Sequence, residues 1–196
     1  MMSLPLRSVC VYCGSKVGRD PRFAAHAERL GELLAGAGIR LVYGGGSVGL
    51  MGILARTVLR HGGAVVGIIP QHLDHVEITQ KGLSELHVVP NMHTRKRLMF
   101  DHSDAFVSLP GSVGTLDETI EVITWRQLKL HDKPIVLVND GGYWTPFLDF
   151  MGHMVNEGFA SPATRRLFQV VETVEDVLPA LCAAAAPTLP DREELI

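Results

Sequence analysis

The chain has 196 residues, enough to enclose one sizeable core and short for two. Apolar residues make up 46% and charged residues 20%, and a net charge of −3 provides no basic face for general nucleic-acid binding. No apolar run reaches the ~20 residues of a membrane span, and residues 1–7 lack the apolar region of a signal peptide, so Cys10, Cys13 and Cys182 are expected as reduced thiols in a cytoplasmic protein.

In chain order, Ser8 to Cys13 is a β-branched, apolar run ended by Gly14-Ser15, and reads as a buried first strand. Asp20 as N-cap and Pro21 at the first helical position open a helix. Phe23, Ala24, Ala27, Leu30, Leu33 and Leu34 recur along it at helical spacing, and Gly36 to Gly38 stop it. Ile39 to Tyr43 is a second strand, Gly44 to Gly49 a turn, and Leu50 to Arg60 a second helix. Ala64 to Ile69 is a third strand, stopped by Pro70. Gln71 to Ser84 has no clear period and reads as a long, functional loop. Leu86 to Val89 is a short strand, Asn91 to His102 a helix, and Ala105 to Leu109 a strand. A helix follows from Thr115 to Leu128, then a strand from Pro134 to Val138. Thr145 caps a helix that Pro146 opens and Gly158 closes; a strand at Phe168 to Val171 and a helix at Val174 to Ala184 complete the pattern.

Strands alternate with helices, and most strands are continuous apolar runs. That predicts an α/β fold, a single Rossmann-like doubly wound parallel sheet with helices on both faces. Residues 1–186 form the expected domain, and 187–196, with prolines and charges near them, a flexible tail. Ligands in such sheets lie at the carboxyl ends of the strands. Gly14-Ser15, Gly44 to Gly49, the segment from Pro70 onward, and Pro110 to Thr115 should therefore converge on one crevice.

The strongest stretch is Leu109-Pro110-Gly111-Ser112-Val113-Gly114-Thr115-Leu116-Asp117-Glu118. A strand, a glycine turn and a helix N-terminus leave backbone N–H groups without partners, a place suited to a phosphate. Glu118 falls one turn into that helix, and Arg95-Lys96-Arg97 supplies positive charge just upstream. Gly44-x-Gly46-x-x-Gly49 has the spacing of a dinucleotide fingerprint, but the next strand ends without the acidic residue that would bind a ribose. A bound NAD is not expected, and a second phosphate- or sugar-facing loop containing Gly45 and Gly46 is. Cys10-x-x-Cys13 on a strand points its thiols to opposite faces, so it is read as two buried inert thiols. His72-x-x-His75 lacks further ligands and is read as a solvated loop, so no metal or cofactor is expected.

These motifs together resemble the LOG family, the cytokinin riboside 5′-monophosphate phosphoribohydrolases long mislabelled as lysine decarboxylases. The resemblance runs from about Ser8 to Phe159 and is carried by Pro110 to Glu118 and by Met92-His93-Thr94-Arg95-Lys96. Cys13-Gly14-Ser15, Val42 to Gly52, and Ile123-Thr124-Trp125-x-Gln127-Leu128 also match. It implies hydrolysis of the N-glycosidic bond of a nucleoside 5′-monophosphate to a free base and ribose 5-phosphate.

On that resemblance, Arg95 and Glu118 are the catalytic pair. Glu77, Lys96, Gly111, Ser112, Val113, Gly114, Thr115, Asp117 and Thr124 are substrate and phosphate contacts, with Ser15, Gly45 and Gly46 beside them. It also implies a homodimer or larger homo-oligomer with the site near the interface. The departure is Ser112, where the family has glycine. A positive φ there would add strain of order 1 kcal/mol. Glycosidic cleavage passes through an oxocarbenium-like state that an ionised Glu118 stabilises, with Arg95 holding it ionised. Two other readings stand beside this one: a non-catalytic nucleotide or cofactor carrier on the same fold, and a general AMP or pyrimidine nucleotide nucleosidase.

Overall fold

The computed structural model describes residues 6–74 and 79–184. Seven strands form one sheet: β1 (Ser8–Tyr12), β2 (Arg40–Tyr43), β3 (Val65–Pro70), β4 (Glu85–Val89), β5 (Ala105–Ser108), β6 (Ile135–Val138) and β7 (Gln169–Val171). Every neighbouring pair is parallel, in the order β4-β3-β2-β1-β5-β6-β7. The helices are α1 (Arg22–Gly36), α2 (Gly49–Arg60), the single turn α3 (Gln71–Asp74), α4 (Met92–Asp101), α5 (Val113–Gln127), α6 (Thr145–Asn156) and α7 (Val177–Ala183). This is the expected α/β architecture. Among the described residues no helix is long and apolar enough to cross a membrane.

Both faces of the sheet are covered, which explains why its central strands are apolar without alternation. On β1, Val9 and Val11 pack with Leu30 and Leu34 of α1, Leu54 and Val58 of α2, and Leu181 of α7. Cys10 and Tyr12 face the other way, toward Met99 of α4, Val122 and Ile123 of α5, and Met151 of α6. The edge strand β4 departs from this: Leu86 and Val88 are 42% and 47% exposed.

The strand order reverses at β1. Strands β2, β3 and β4 spread to one side of it and β5, β6 and β7 to the other. The loops after β1 and β5 therefore diverge around a switch point, where open α/β sheets bind ligands.

Three local readings shift. Helix α1 begins at Arg22, with Pro21 in the N-cap position, yet Asp20 still caps: its Oδ1 accepts from Arg22 N at 2.9 Å. Thr145 lies inside α6 and makes no cap; Asn139 Oδ1 instead accepts from Trp144 N at 2.7 Å, closing the turn ahead of the helix. The expected loop after Pro70 opens with the turn α3. His75 and Glu77 lie outside the described residues, as does the 187–196 tail.

Cys10 and Cys13 sit on opposite faces of the sheet, in separate core clusters, as the strand period requires. Burial, and secondarily the charge of Glu118, pushes both thiols well above the ordinary cysteine range. A raised value means thiolate forms only at higher pH, so both remain unreactive thiols near neutrality. Cys182 is exposed. Titration of the native protein with a thiol reagent at pH 8 should modify Cys182 alone, and Cys10 and Cys13 only after denaturation. Fast modification of more than one thiol would contradict the packing of β1.

Candidate active site

Backbone hydrogen bonds tie the loops at the carboxyl ends of β1, β2 and β5 together. Gly14 N donates to Pro110 O at 3.0 Å, and Leu50 N, at the start of α2, donates to Gly14 O at 3.0 Å. They border a cleft of about 240 Å³ lined in part by Gly14, Ser15, Lys16, Gly111, Ser112 and Tyr143. The floor of this cleft is the phosphate-type loop that leads into α5.

That loop is built on close approach. A methyl group on Gly111 would overlap the Thr115 side chain, so the turn admits glycine alone there. Ser112, the next residue, has φ −98° and ψ −160°, ordinary extended backbone. The serine is unstrained, which settles the one departure from the family motif. Its side chain makes no cap to α5, and Ser112, Val113 and Gly114 are exposed at the helix N-terminus. The first N–H groups of a helix have no intrahelical partner, and the dipole adds positive potential, so this end favours an anion. Below it, Thr119 Oγ1 bonds to Thr115 O and to Ser108 Oγ, both at 2.7 Å, fixing α5 onto β5.

Arg95 and Glu118 meet as expected. Arg95 Nη1 lies 3.3 Å from Glu118 Oε1, and both side chains are about nine-tenths buried. The guanidinium is held from the sheet side as well. Its Nε donates to Ile68 O at 3.1 Å and its Nη2 to Gly44 O at 3.4 Å. A Cβ on Gly44 would collide with that same Nη2. The glycine turn after β2 is thus a seat for Arg95.

This revises the reading of Gly45 and Gly46. Gly45 O accepts from Gln80 N at 3.0 Å, and Gly46 forms a β-bridge with Thr79. Both glycines are buried and engage the returning chain, so their backbone serves the loop at 79–80.

Lys96 turns away from the cleft. Its Nζ pairs with Asp117 Oδ2 at 3.2 Å and Glu121 Oε1 at 3.0 Å. Burial works against the ammonium, but the bonds from Glu121 and Asp117 outweigh it and hold its pKa above the ordinary lysine value. Asp117, Glu121 and Thr124 follow one another at helical spacing along α5. Thr124 is exposed and roughly 16 Å of helix beyond Val113, so within one chain it does not join the cleft.

One feature of the cleft escaped the sequence reading. Tyr143 Oη donates to Gly111 O, and its ring packs edge-on against Phe23 at 5.5 Å. It follows β6 in a Gly-Gly-Tyr turn, and loops after strand ends were the available signal.

A family model described as "Possible lysine decarboxylase" matches residues 51–181. A protein of Rhodococcoides fascians named cytokinin riboside 5′-monophosphate phosphoribohydrolase is 47% identical over 176 residues, 89% of each chain. The chain belongs to the LOG family. A member of the same name from Arabidopsis thaliana is 44% identical over 180 residues, covering 88% of this chain and 84% of that one. Among solved structures, the molybdenum cofactor carrier protein of Chlamydomonas reinhardtii superposes with a TM-score of 0.70 over 93% of this chain and 99% of its own, at 20% identity. That likeness establishes shared fold alone.

The loop geometry separates two glycine-motif positions that the sequence treats alike. Gly111→Ala should lower stability by about 1–3 kcal/mol through overpacking against Thr115. Ser112→Gly should instead cost at most about 1 kcal/mol, through entropy of the unfolded chain. Urea denaturation of both variants reads the difference; equal losses would contradict the φ assigned to Ser112.

Proposed function

We propose that this LOG-family protein is an N-glycosyl hydrolase acting on nucleoside 5′-monophosphates, releasing the free base and ribose 5-phosphate. The observation that carries the reading is the buried Arg95–Glu118 pair at 3.3 Å, beside the anion-ready N-terminus of α5. The names of relatives 44–47% identical over most of the chain support an N6-modified adenine as the base.

In this reaction water adds to the anomeric carbon, the bond from that carbon to the base nitrogen breaks, and a proton ends on the base. The sugar becomes cationic as the bond breaks. A carboxylate fixed in a dry site stabilises that charge without reorganising, and it can take a proton from the attacking water. Glu118 fits this role because it is buried and cannot turn away. Arg95 positions it and contacts the substrate, since the Gly44 and Ile68 carbonyls restrict the guanidinium to one orientation. The N–H groups of residues 111–115 hold the 5′-phosphate, so binding energy remote from the glycosidic bond places the sugar. Ser15 and Tyr143 line the same cleft.

Lys96, next to Arg95 in sequence, is a paired ammonium with a raised pKa, and Schiff-base chemistry needs a neutral amine, so Lys96 is unsuited to that role.

The same reading includes a homodimer or larger assembly in the cytoplasm. Asp117 and Thr124 are exposed along α5 with the largely covered Lys96 paired to Asp117, and Leu128 and Leu130 just beyond them are 63% and 67% exposed. A second copy laid along α5 covers the apolar pair and brings these residues to its own substrate. Sedimentation analysis should give at least twice the chain mass.

The test is free-base release from AMP, N6-isopentenyl-AMP, CMP and GMP. Preferential release from the isopentenyl nucleotide is expected. Faster release from AMP or CMP makes the protein a salvage nucleosidase. Binding without release from any of them overturns the enzyme reading in favour of a carrier. Glu118→Gln and Arg95→Ala should each lower kcat about 10²–10⁴-fold while circular dichroism shows a folded protein.

A further inference from the structure

At the opposite end of the sheet from the cleft, two histidines and a glutamate converge. Glu85 and His87 are alternate residues of the edge strand β4, so they share a face. Helix α4 packs on that face and ends at Asp101, and its C-cap residue His102 lies over the strand. The donor atoms of Glu85, His87 and His102 all lie within 4.8 Å of one another. His87 Nε2 is 2.6 Å from Glu85 Oε1, and the two imidazole rings stand 5.0 Å apart at 59°. Both histidines are half-buried while Glu85 is exposed, so the group is framed by protein and open on one side.

We propose that Glu85, His87 and His102 form a binding site for a divalent transition-metal ion of the zinc type. Two imidazoles and one carboxylate are a borderline donor set, suited to zinc and poorly suited to magnesium or calcium. Bonds of about 2.0–2.2 Å place tetrahedral donors roughly 3.3 Å apart. The donor atoms already lie near that spacing, 2.6 Å apart for His87 and Glu85 and within 4.8 Å of one another overall. A helix C-terminus adds negative potential beside His102. Three protein ligands leave the fourth position to water. The ion ties the exposed edge strand to the end of α4.

The site is independent of the proposed hydrolase reading. Arg95 and His102 are seven residues apart on α4, roughly 10 Å of helix, and Glu85 opens β4, whereas the cleft lies at the carboxyl ends of the strands.

The test is calorimetric titration of the chelator-treated full chain with zinc chloride, alongside thermal melting. One ion per chain is expected, with a higher melting temperature in zinc and no response to magnesium or calcium. His87→Ala and His102→Ala should each weaken binding at least about tenfold, and Glu85→Gln should weaken it less. Melting of each metal-free variant checks its fold, and His102→Gln replaces His102→Ala if the latter melts early. Failure to saturate below about 1 mM zinc overturns the proposal, as does unchanged affinity in the histidine variants. Base release serves as the separate control: its loss with zinc binding intact strikes only the hydrolase reading.

Discussion

The buried contact between Arg95 and Glu118 is the constraint around which the carboxyl end of the sheet is arranged. Attraction between unit charges 3.3 Å apart is about 5 kcal/mol at an effective dielectric of about 20. Removing two ions from water costs several kcal/mol each, so the pair at best breaks even as a stabilising element. It persists only because the surroundings complete it. The carbonyls of Ile68 and Gly44 take one donor each from Nε and Nη2, and glycine at 44 leaves the space that Nη2 occupies. A group that contributes little stability yet dictates the residues around it is characteristic of a functional site.

The phosphate-type loop obeys a different constraint. Its shape comes from contact between Gly111 and Thr115, with the Thr119–Ser108 bond anchoring the helix beneath. Ser112 sits in a conformation open to any residue, so its glycine is replaceable. Tyr143 closes the cleft from a loop on the far side of the switch point. The cleft thus draws on the loops after β1, β5 and β6, whereas Arg95 is seated by the ends of β2 and β3.

The two faces of the molecule divide these tasks. One face carries α1, α2 and α7, which supply packing and, through Phe23 and Leu50, part of the cleft lining. The other carries α4 and α5, whose facing surfaces hold Arg95, Lys96, Asp117, Glu118 and Glu121. Charge is concentrated along the α4–α5 seam. The edge strand β4 is left uncovered on its other face, where Leu86 and Val88 are exposed.

Local pattern was sufficient wherever one residue's neighbours in sequence set its environment. Apolar runs broken by glycine announced the strands, the spacing of Cys10 and Cys13 announced opposite faces, and Pro110 to Thr115 announced the glycine turn into α5. Helix starts were legible to within three residues, α7 beginning at Val177 rather than Val174 and α5 at Val113 rather than Thr115, because capping, as at Asp20 and Asn139, involves side chains that several nearby backbone arrangements satisfy. Long-range contacts were not legible. Gly45 and Gly46 looked available to a ligand but are engaged by Thr79 and Gln80, about 35 residues onward. Lys96 looked like a phosphate contact but is held by carboxylates from another helix. His87 and His102 carry no common motif, since a strand and a helix end bring them together across fifteen positions. Periodicity and turn chemistry are written into adjacent residues, so the sequence alone specified the fold and the glycine turn into α5. Which side chains face one another across the seam depends on how the helices settle on the sheet, and only the folded chain decides that.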